Sequence, residues 1–189
     1  MSLRFSCRRQ RNSQLHLQEG PWQDNDATGQ NLNDLIAHSF SAVDVRVTKE
    51  PPGLLRSDGK RPDGLSLVSW QRGKALCWNV TVICPLADSY ISDAAREPGS
   101  VAELAASRKE AKYAVLDGRY MFVPIAFENL GVPNASAKLF LTHIGRRLSE
   151  KSRESRETSF LFQRCSVLLQ LFNAVLLHAS MPACDCMEF

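Results

Sequence analysis

The middle of the chain carries an acid and an amide whose spacing can bring them together. Asp63 follows a proline in the run RPDG, and Asn79 interrupts the apolar run CWNVTV. If the fifteen residues between them form a hairpin, the two side chains lie side by side on neighbouring antiparallel strands. Carboxylate and amide oxygens are suitable ligands for a divalent cation such as Mg²⁺. The pattern therefore predicts a metal site built from Asp63 and Asn79.

A later segment supplies positive charge close to this candidate site. The run SRKEAKY carries Lys109, Lys112 and Tyr113, and the two lysines share one face if the run is helical. Either lysine can then reach the end of a strand. Two alternatives stay open, because the lysines can form a solvated face and Tyr113 can belong to the core. Asp34 and Glu50 are conceivable third acidic ligands.

The elements that must position these side chains follow from the hydrophobic pattern. Alternation predicts strands in VDVRVTKE and GLSLVSW, and the continuous apolar run ALCWNVTVIC predicts a buried central strand. A short amphipathic helix is predicted from a cap at Asn31 or Asn33 to about Ser41. The other predicted elements are a helix over VAELAASRKEAKYAVL, a strand over MFVPIAF and helices over 134–149 and 159–178.

This order of elements predicts an α/β fold with a mixed sheet of about four strands. We expect a polar leader over 1–30, an α/β core over 31–130 and a helical extension with a tail over 131–189. A chain of 189 residues fits one domain with an added helical layer. A hydrophobic content of 44% and a charged content of 23% are ordinary for folded proteins, which excludes wholesale disorder.

Charge, cysteine content and hydropathy narrow the class of protein further. A net charge of +3 permits a phosphate-rich partner without demanding one. The six cysteines lack Cys-x-x-Cys pairs, so a disulfide framework is not expected. Polar and charged side chains interrupt the apolar stretch 159–181, so no membrane span is predicted. We expect an intracellular protein of the nucleus or cytoplasm.

Taken together, the motifs resemble a known nuclease family. The runs RPDG, CWNVTV and SRKEAKY are similar, in this order, to those of the restriction-endonuclease-like, or PD-(D/E)XK, endonuclease domain of non-LTR retrotransposon reverse-transcriptase polyproteins. The resemblance covers roughly 31–178 and also includes NLNDLI, VTKEP, LDGRYMFVPIAFENLG and FLFQRCSVLLQLFNAVLLH. It implies a restriction-endonuclease-like core of helix, three strands, helix and strand, followed by a C-terminal helical extension.

The resemblance also implies a chemistry, which is Mg²⁺- or Mn²⁺-dependent hydrolysis of a DNA phosphodiester bond. In that family an Asp after Pro and an acid on the next strand hold the cation, while a helix lysine assists. Asp63 matches the first ligand, but Asn79 brings no negative charge, and Thr81 stands where simpler members carry lysine. A loss of about 3 kcal/mol of stabilisation slows a reaction about a hundredfold, so we expect weak cation affinity and an impaired nuclease.

Further features of the chain fit a truncated and diverged retroelement fragment. The run FSCRR resembles the end of a zinc knuckle whose other ligands are missing, so no zinc site is expected. Lys and Arg outnumber acids by seven to three in both 46–74 and 138–164, which would favour salt-sensitive DNA binding. DNA is the expected partner, together with a reverse-transcriptase domain in the parent element, and no membrane or small-molecule cofactor is expected. A catalytically silent DNA-binding domain and an inert remnant remain alternatives.

Overall fold

The structure, a computed structural model, describes residues 25–55, 59–116 and 118–180. Within them the protein is a mixed α/β fold with a four-stranded sheet and five α-helices, which confirms the predicted class. The helices are α1 (Asn25–Ala42), α2 (Ile91–Ala94), α3 (Ser100–Tyr113), α4 (Ala135–Ser152) and α5 (Glu157–Ser180). The strands are β1 (Val47–Lys49), β2 (Gly64–Gln71), β3 (Lys74–Ile83) and β4 (Tyr120–Glu128).

The sheet has the order β1-β2-β3-β4. β2 pairs with β1 and with β3 in the antiparallel sense, whereas β3 and β4 run parallel. Arg72 and Gly73, both with positive φ, close the hairpin between β2 and β3. The predicted hairpin is therefore confirmed, and so is the central place of β3, whose two neighbours explain why nearly all of its positions are apolar.

Helices cover both faces of the sheet. Trp78 and Val80 of β3 face the larger core, to which α1, α4 and α5 contribute. Ile83 belongs to the smaller core, where α3 packs on the opposite face. Because side chains alternate along a strand, Asn79 falls on the α3 face, between two residues of the larger core. The helix that carries the candidate lysines therefore packs on the same face as the candidate amide.

The predicted start of the first helix is wrong. α1 begins at Asn25, six residues before the predicted cap at Asn31, so the expected boundary at residue 30 falls inside the helix. Asn33 is buried in the middle of α1 and hydrogen-bonds to other elements instead of capping the helix. The first turns of α1 carry hardly any apolar side chains, so the hydrophobic period could not reveal them.

Only the later part of the first predicted strand forms a strand. Only Val47–Lys49 pair with β2, because residues 43 and 44 turn the chain away from the end of α1. The Val43 N–H donates a hydrogen bond to the Phe40 carbonyl over 3.1 Å, and Asp44 has a φ of +58°. The alternation of the valines therefore predicts which side chains of this segment are more buried, but not where the strand begins.

The apolar side chains of α5 are buried mainly in the first half of the helix. Leu161 and Cys165 are buried in the larger core, whereas Val175 is 54% exposed. By length and composition alone, Glu157–His178 is the one helix in the described part of the chain that could cross a membrane. Buried core helices meet the same criterion, but only 17% of the apolar window of this helix is buried.

Candidate functional site

A single cavity collects the side chains singled out from the sequence. Its volume is about 450 Å³, and Asp63, Asn79, Lys109, Lys112 and Tyr113 all line it. The hairpin register explains the approach of the first two, since Gly64 pairs with Trp78 and each is the chain neighbour of a candidate ligand. α3 places the other three against them from one face of the sheet.

Hydrogen bonds hold the Asp63 carboxylate against β3. Its Oδ2 accepts a hydrogen bond of 2.6 Å from the Val80 N–H, while the backbone N–H of Asp63 donates to the Trp78 carbonyl over 3.0 Å. The Asn79 amide also hydrogen-bonds to the carboxylate. Asp63 and Asn79 are therefore close enough to present oxygen atoms to a common ligand.

The electrostatic environment of Asp63 disfavours its charged form. Desolvation by burial raises the pKa of Asp63 from 3.8 to about 6, and the nearby charge of Glu50 also raises it. The Val80 N–H, the Lys109 ammonium and the Asn79 amide lower the pKa, but less than burial raises it. Burial thus destabilises the charged form of Asp63, and a cation bound beside the carboxylate would offset this effect.

Asn79 both lines the cavity and has hydrogen-bond partners among its neighbours. The residue is only 5% exposed. Its Oδ1 accepts a long hydrogen bond of 3.5 Å from the Thr81 hydroxyl, and its amide hydrogen-bonds to Asp63. A long contact of this kind is weak, so the amide oxygen keeps most of its capacity to accept a further ligand.

The two lysines of α3 have different surroundings. Lys109 acts electrostatically on Asp63, whose pKa it lowers. The Lys112 ammonium lies 5.6 Å from the ring centroid of Tyr113. Tyr113 is itself buried, and its hydroxyl donates a hydrogen bond of 3.0 Å to the Arg61 carbonyl. Tyr113 therefore holds the segment that leads into Asp63, as a positioning residue that is also part of the core.

Asn33 is a site residue that the sequence did not reveal. Its Oδ1 accepts a hydrogen bond of 2.8 Å from the Trp78 indole, and its amide donates to the Asp63 carbonyl over 3.2 Å. It thereby connects α1 to β3 and to the residue just before β2, beside the cavity that it lines. These partners lie thirty and forty-five positions away in the chain, so no local motif could signal the role.

Only one of the two conceivable third acidic ligands, Glu50, lines the cavity. Glu50 lines the cavity, where its carboxylate forms an ion pair with Arg61. Asp34 does not line the cavity, because it lies on an exposed part of α1, where it pairs with Lys49 at 2.6 Å. Of the two, Glu50 alone is placed to contribute to the same site as Asp63.

The donor set of the cavity has the chemistry of a weak site for a hard cation. Asp63, Glu50 and Asn79 offer carboxylate and amide oxygens, which suit Mg²⁺ or Mn²⁺. Across the described ranges, no three His, Cys, Asp or Glu side chains cluster closely enough to hold a metal ion. The run FSCRR, considered as a zinc-knuckle remnant, lies outside the described residues.

Ion pairs neutralise part of the two basic segments. Lys49 and Arg61 pair with acids within or beside the first segment. In the second segment, Lys151, Arg156 and Arg164 also pair with acids. Among the described residues, four basic side chains line the cavity together with two carboxylates, so this lining has an excess of two positive charges. The four are Lys60, Arg61, Lys109 and Lys112.

Comparison with known proteins adds no further constraint on the site. No family model matches the chain, and no curated protein matches it. The function is therefore inferred from the side chains that line the cavity and from the α/β fold that positions them.

Proposed function

We propose that this protein is a retroelement-derived DNA endonuclease-like domain with a restriction-endonuclease-like core and a low rate of metal-dependent DNA nicking. One observation carries the proposal: Asp63 just before β2, Asn79 on β3 and Lys109 on α3 line one cavity. Oxygen ligands with a nearby ammonium group are what metal-assisted hydrolysis of a phosphodiester requires. An intracellular location, in the nucleus or cytoplasm, belongs to the same proposal.

Asp63 and Asn79 are the residues that would hold Mg²⁺ or Mn²⁺ in this proposal. When bound, the cation neutralises charge on the phosphate and lowers the pKa of a bound water. The elevated pKa of Asp63 means that its carboxylate is poorly stabilised by the protein alone, which makes a cation partner favourable. Asn79 supplies a neutral oxygen ligand, so the proposal predicts weak cation binding and slow hydrolysis of DNA.

Lys109 is the lysine that we assign to phosphate binding. Its ammonium already acts on Asp63, so the same charge can stabilise a phosphate placed beside that carboxylate. Lys112 also lines the cavity and would contribute to binding of the DNA backbone. Tyr113 would act indirectly, since its hydroxyl holds the Arg61 carbonyl two residues before Asp63.

A plasmid assay with the purified full chain tests this proposal. We expect slow, chelator-sensitive nicking of supercoiled DNA in Mg²⁺ or Mn²⁺, and a rate at least about tenfold lower for Asp63→Asn, which keeps the shape of the ligand but removes its charge. Asp34→Asn, the same change outside the cavity, should leave the rate unaltered. Equal rates for the native chain and Asp63→Asn would contradict the proposal.

DNA binding without cleavage is the second candidate function, and the charge balance of the cavity favours it. Four basic side chains and two carboxylates leave an excess of positive charge for a phosphate backbone. Such binding is largely independent of sequence and weakens steeply with salt. In the same assay this function predicts that native chain and Asp63→Asn both shift DNA at low salt and that neither produces nicks.

A further inference from the structure

The proposed metal site lacks one negative charge, and the cavity contains a carboxylate that can supply it. Among the described residues that line the cavity, Asp63 and Glu50 are the two acids, while Asn79 is neutral. Affinity for hard divalent cations depends strongly on the number of charged ligands. A site formed by Asp63 and Asn79 alone would therefore be weak, and Glu50 is the one described side chain of the cavity able to strengthen it.

The backbone fixes Glu50 beside Asp63. Glu50 follows Lys49, the residue of β1 that pairs with Gly64, and its N–H donates a hydrogen bond of 2.9 Å to the Asp63 carbonyl. It has a φ of +46°, a left-handed conformation that is uncommon for residues other than glycine. The two carboxylates are close enough for Glu50 to act electrostatically on Asp63.

Arg61 neutralises Glu50 in this structure, but the pair is weakly held. Arg61 and Glu50 form an ion pair whose side chains are 40% and 59% exposed. Exposed ion pairs of this kind contribute only about 0–1 kcal/mol, because water and salt compete for both charges. A divalent cation that gains a charged ligand can therefore displace the guanidinium group from Glu50.

We propose that Glu50 is the second carboxylate ligand of the divalent cation and replaces the negative charge missing at Asn79. Arg61 pairs with Glu50 when no cation is bound and releases it when the cation binds. This assignment rests on the proposed function, and it extends the ligand set from two neighbouring strands to three neighbouring chain segments. It also explains why a chain with an amide at position 79 keeps a cavity suited to Mg²⁺ or Mn²⁺.

Titration of the DNA-free full chain with Mn²⁺, followed by calorimetry, tests the assignment without an activity readout. Glu50→Gln should weaken Mn²⁺ binding about tenfold or more, because a charged ligand becomes neutral. Asp34→Asn is the matched control, since Asp34 is also an exposed acid paired with a basic residue but lies outside the cavity. Circular dichroism and thermal unfolding of each variant show that the fold is retained.

The variants also distinguish failure of this assignment from failure of the proposed function. If Asp63→Asn loses Mn²⁺ binding while Glu50→Gln and Asp34→Asn both bind like the native chain, Glu50 is not a ligand and the metal site stands. If Asp63→Asn binds Mn²⁺ as the native chain does, both the metal site and the role of Glu50 are refuted. Loss of affinity in Asp63→Asn and Glu50→Gln, but not in Asp34→Asn, supports both.

Discussion

At the scale of single residues, burial in the cavity shifts the protonation equilibrium of Asp63. Its carboxylate lies in a partly desolvated place, and its pKa is raised from 3.8 to about 6 mainly for that reason. The folded state therefore keeps a proton that the unfolded chain has already lost. Between about pH 4 and 6, the free energy of unfolding falls as pH rises, because the charged carboxylate is less well solvated in the folded state.

We predict that Asp63→Asn stabilises the metal-free protein at neutral pH. The raised pKa corresponds to at most about 3 kcal/mol, which the neutral amide removes, while its oxygen can still accept the Val80 N–H. The gain in unfolding free energy should be about 1–3 kcal/mol at pH 7.5 and close to zero at pH 4. Urea denaturation at both pH values measures it. The same gain at both pH values would mean that titration of Asp63 is not its cause.

The sequence identified some site residues and missed others, for a physical reason. Asp63, Asn79 and Lys109 stand in motifs with recognisable residue types, so they could be singled out before the structure was known. Asn33 and Arg61 act through contacts to distant segments, such as the hydrogen bond of the Trp78 indole to Asn33, and no local pattern encodes these contacts. The choice between Asp34 and Glu50 likewise needed the positions of their side chains.

At the scale of elements, the hairpin of β2 and β3 is the part that must fit most closely. Gly64 pairs with Trp78, and a Cβ atom on Gly64 would lie 2.0 Å from the indole ring. Trp78 is fully buried, and its indole N–H is held by Asn33, so the ring has little freedom to move. The glycine of RPDG therefore allows the close approach that brings Asp63 to β3.

We predict that Gly64→Ala destabilises the protein by about 3 kcal/mol, since the added methyl group overlaps a buried ring. Gly53→Ala is the matched control, because a Cβ atom there meets no other atom within 4 Å. Chemical denaturation of both variants provides the comparison. Equal stabilities would show that the hairpin accommodates the methyl group and that the packing beside Asp63 is looser than described.

Element boundaries were predictable only where the hydrophobic pattern was strong. β3 and α3 match their predicted ranges, because a continuous apolar run and an Ala-rich helical run are unambiguous. α1 extends further than predicted because its first turns are polar, and β1 is shorter because its valines lie partly in a turn. Both differences arise at the segments that pack beside the cavity, where contacts between elements replace local preference.

At the scale of the whole molecule, the cavity is assembled from α1, the end of β1, the hairpin and α3. The α/β class and the order of the elements follow from local periodicity, so the sequence could predict them. The packing of α1 beside the start of β2 depends on buried polar contacts, and these became visible only in the folded chain. A cation or a phosphate in this cavity would thus link segments that are distant in the sequence.

The nicking rate of Asn79→Asp in Mn²⁺ tests the central claim most directly, because this change puts a carboxylate where the proposed site has a neutral amide. We predict a rate about tenfold to a hundredfold above that of the native chain. Gln163→Glu, which adds the same charge on an exposed position of α5, should leave the rate unchanged. A folded Asn79→Asp variant that nicks no faster than Asp63→Ala would contradict the account.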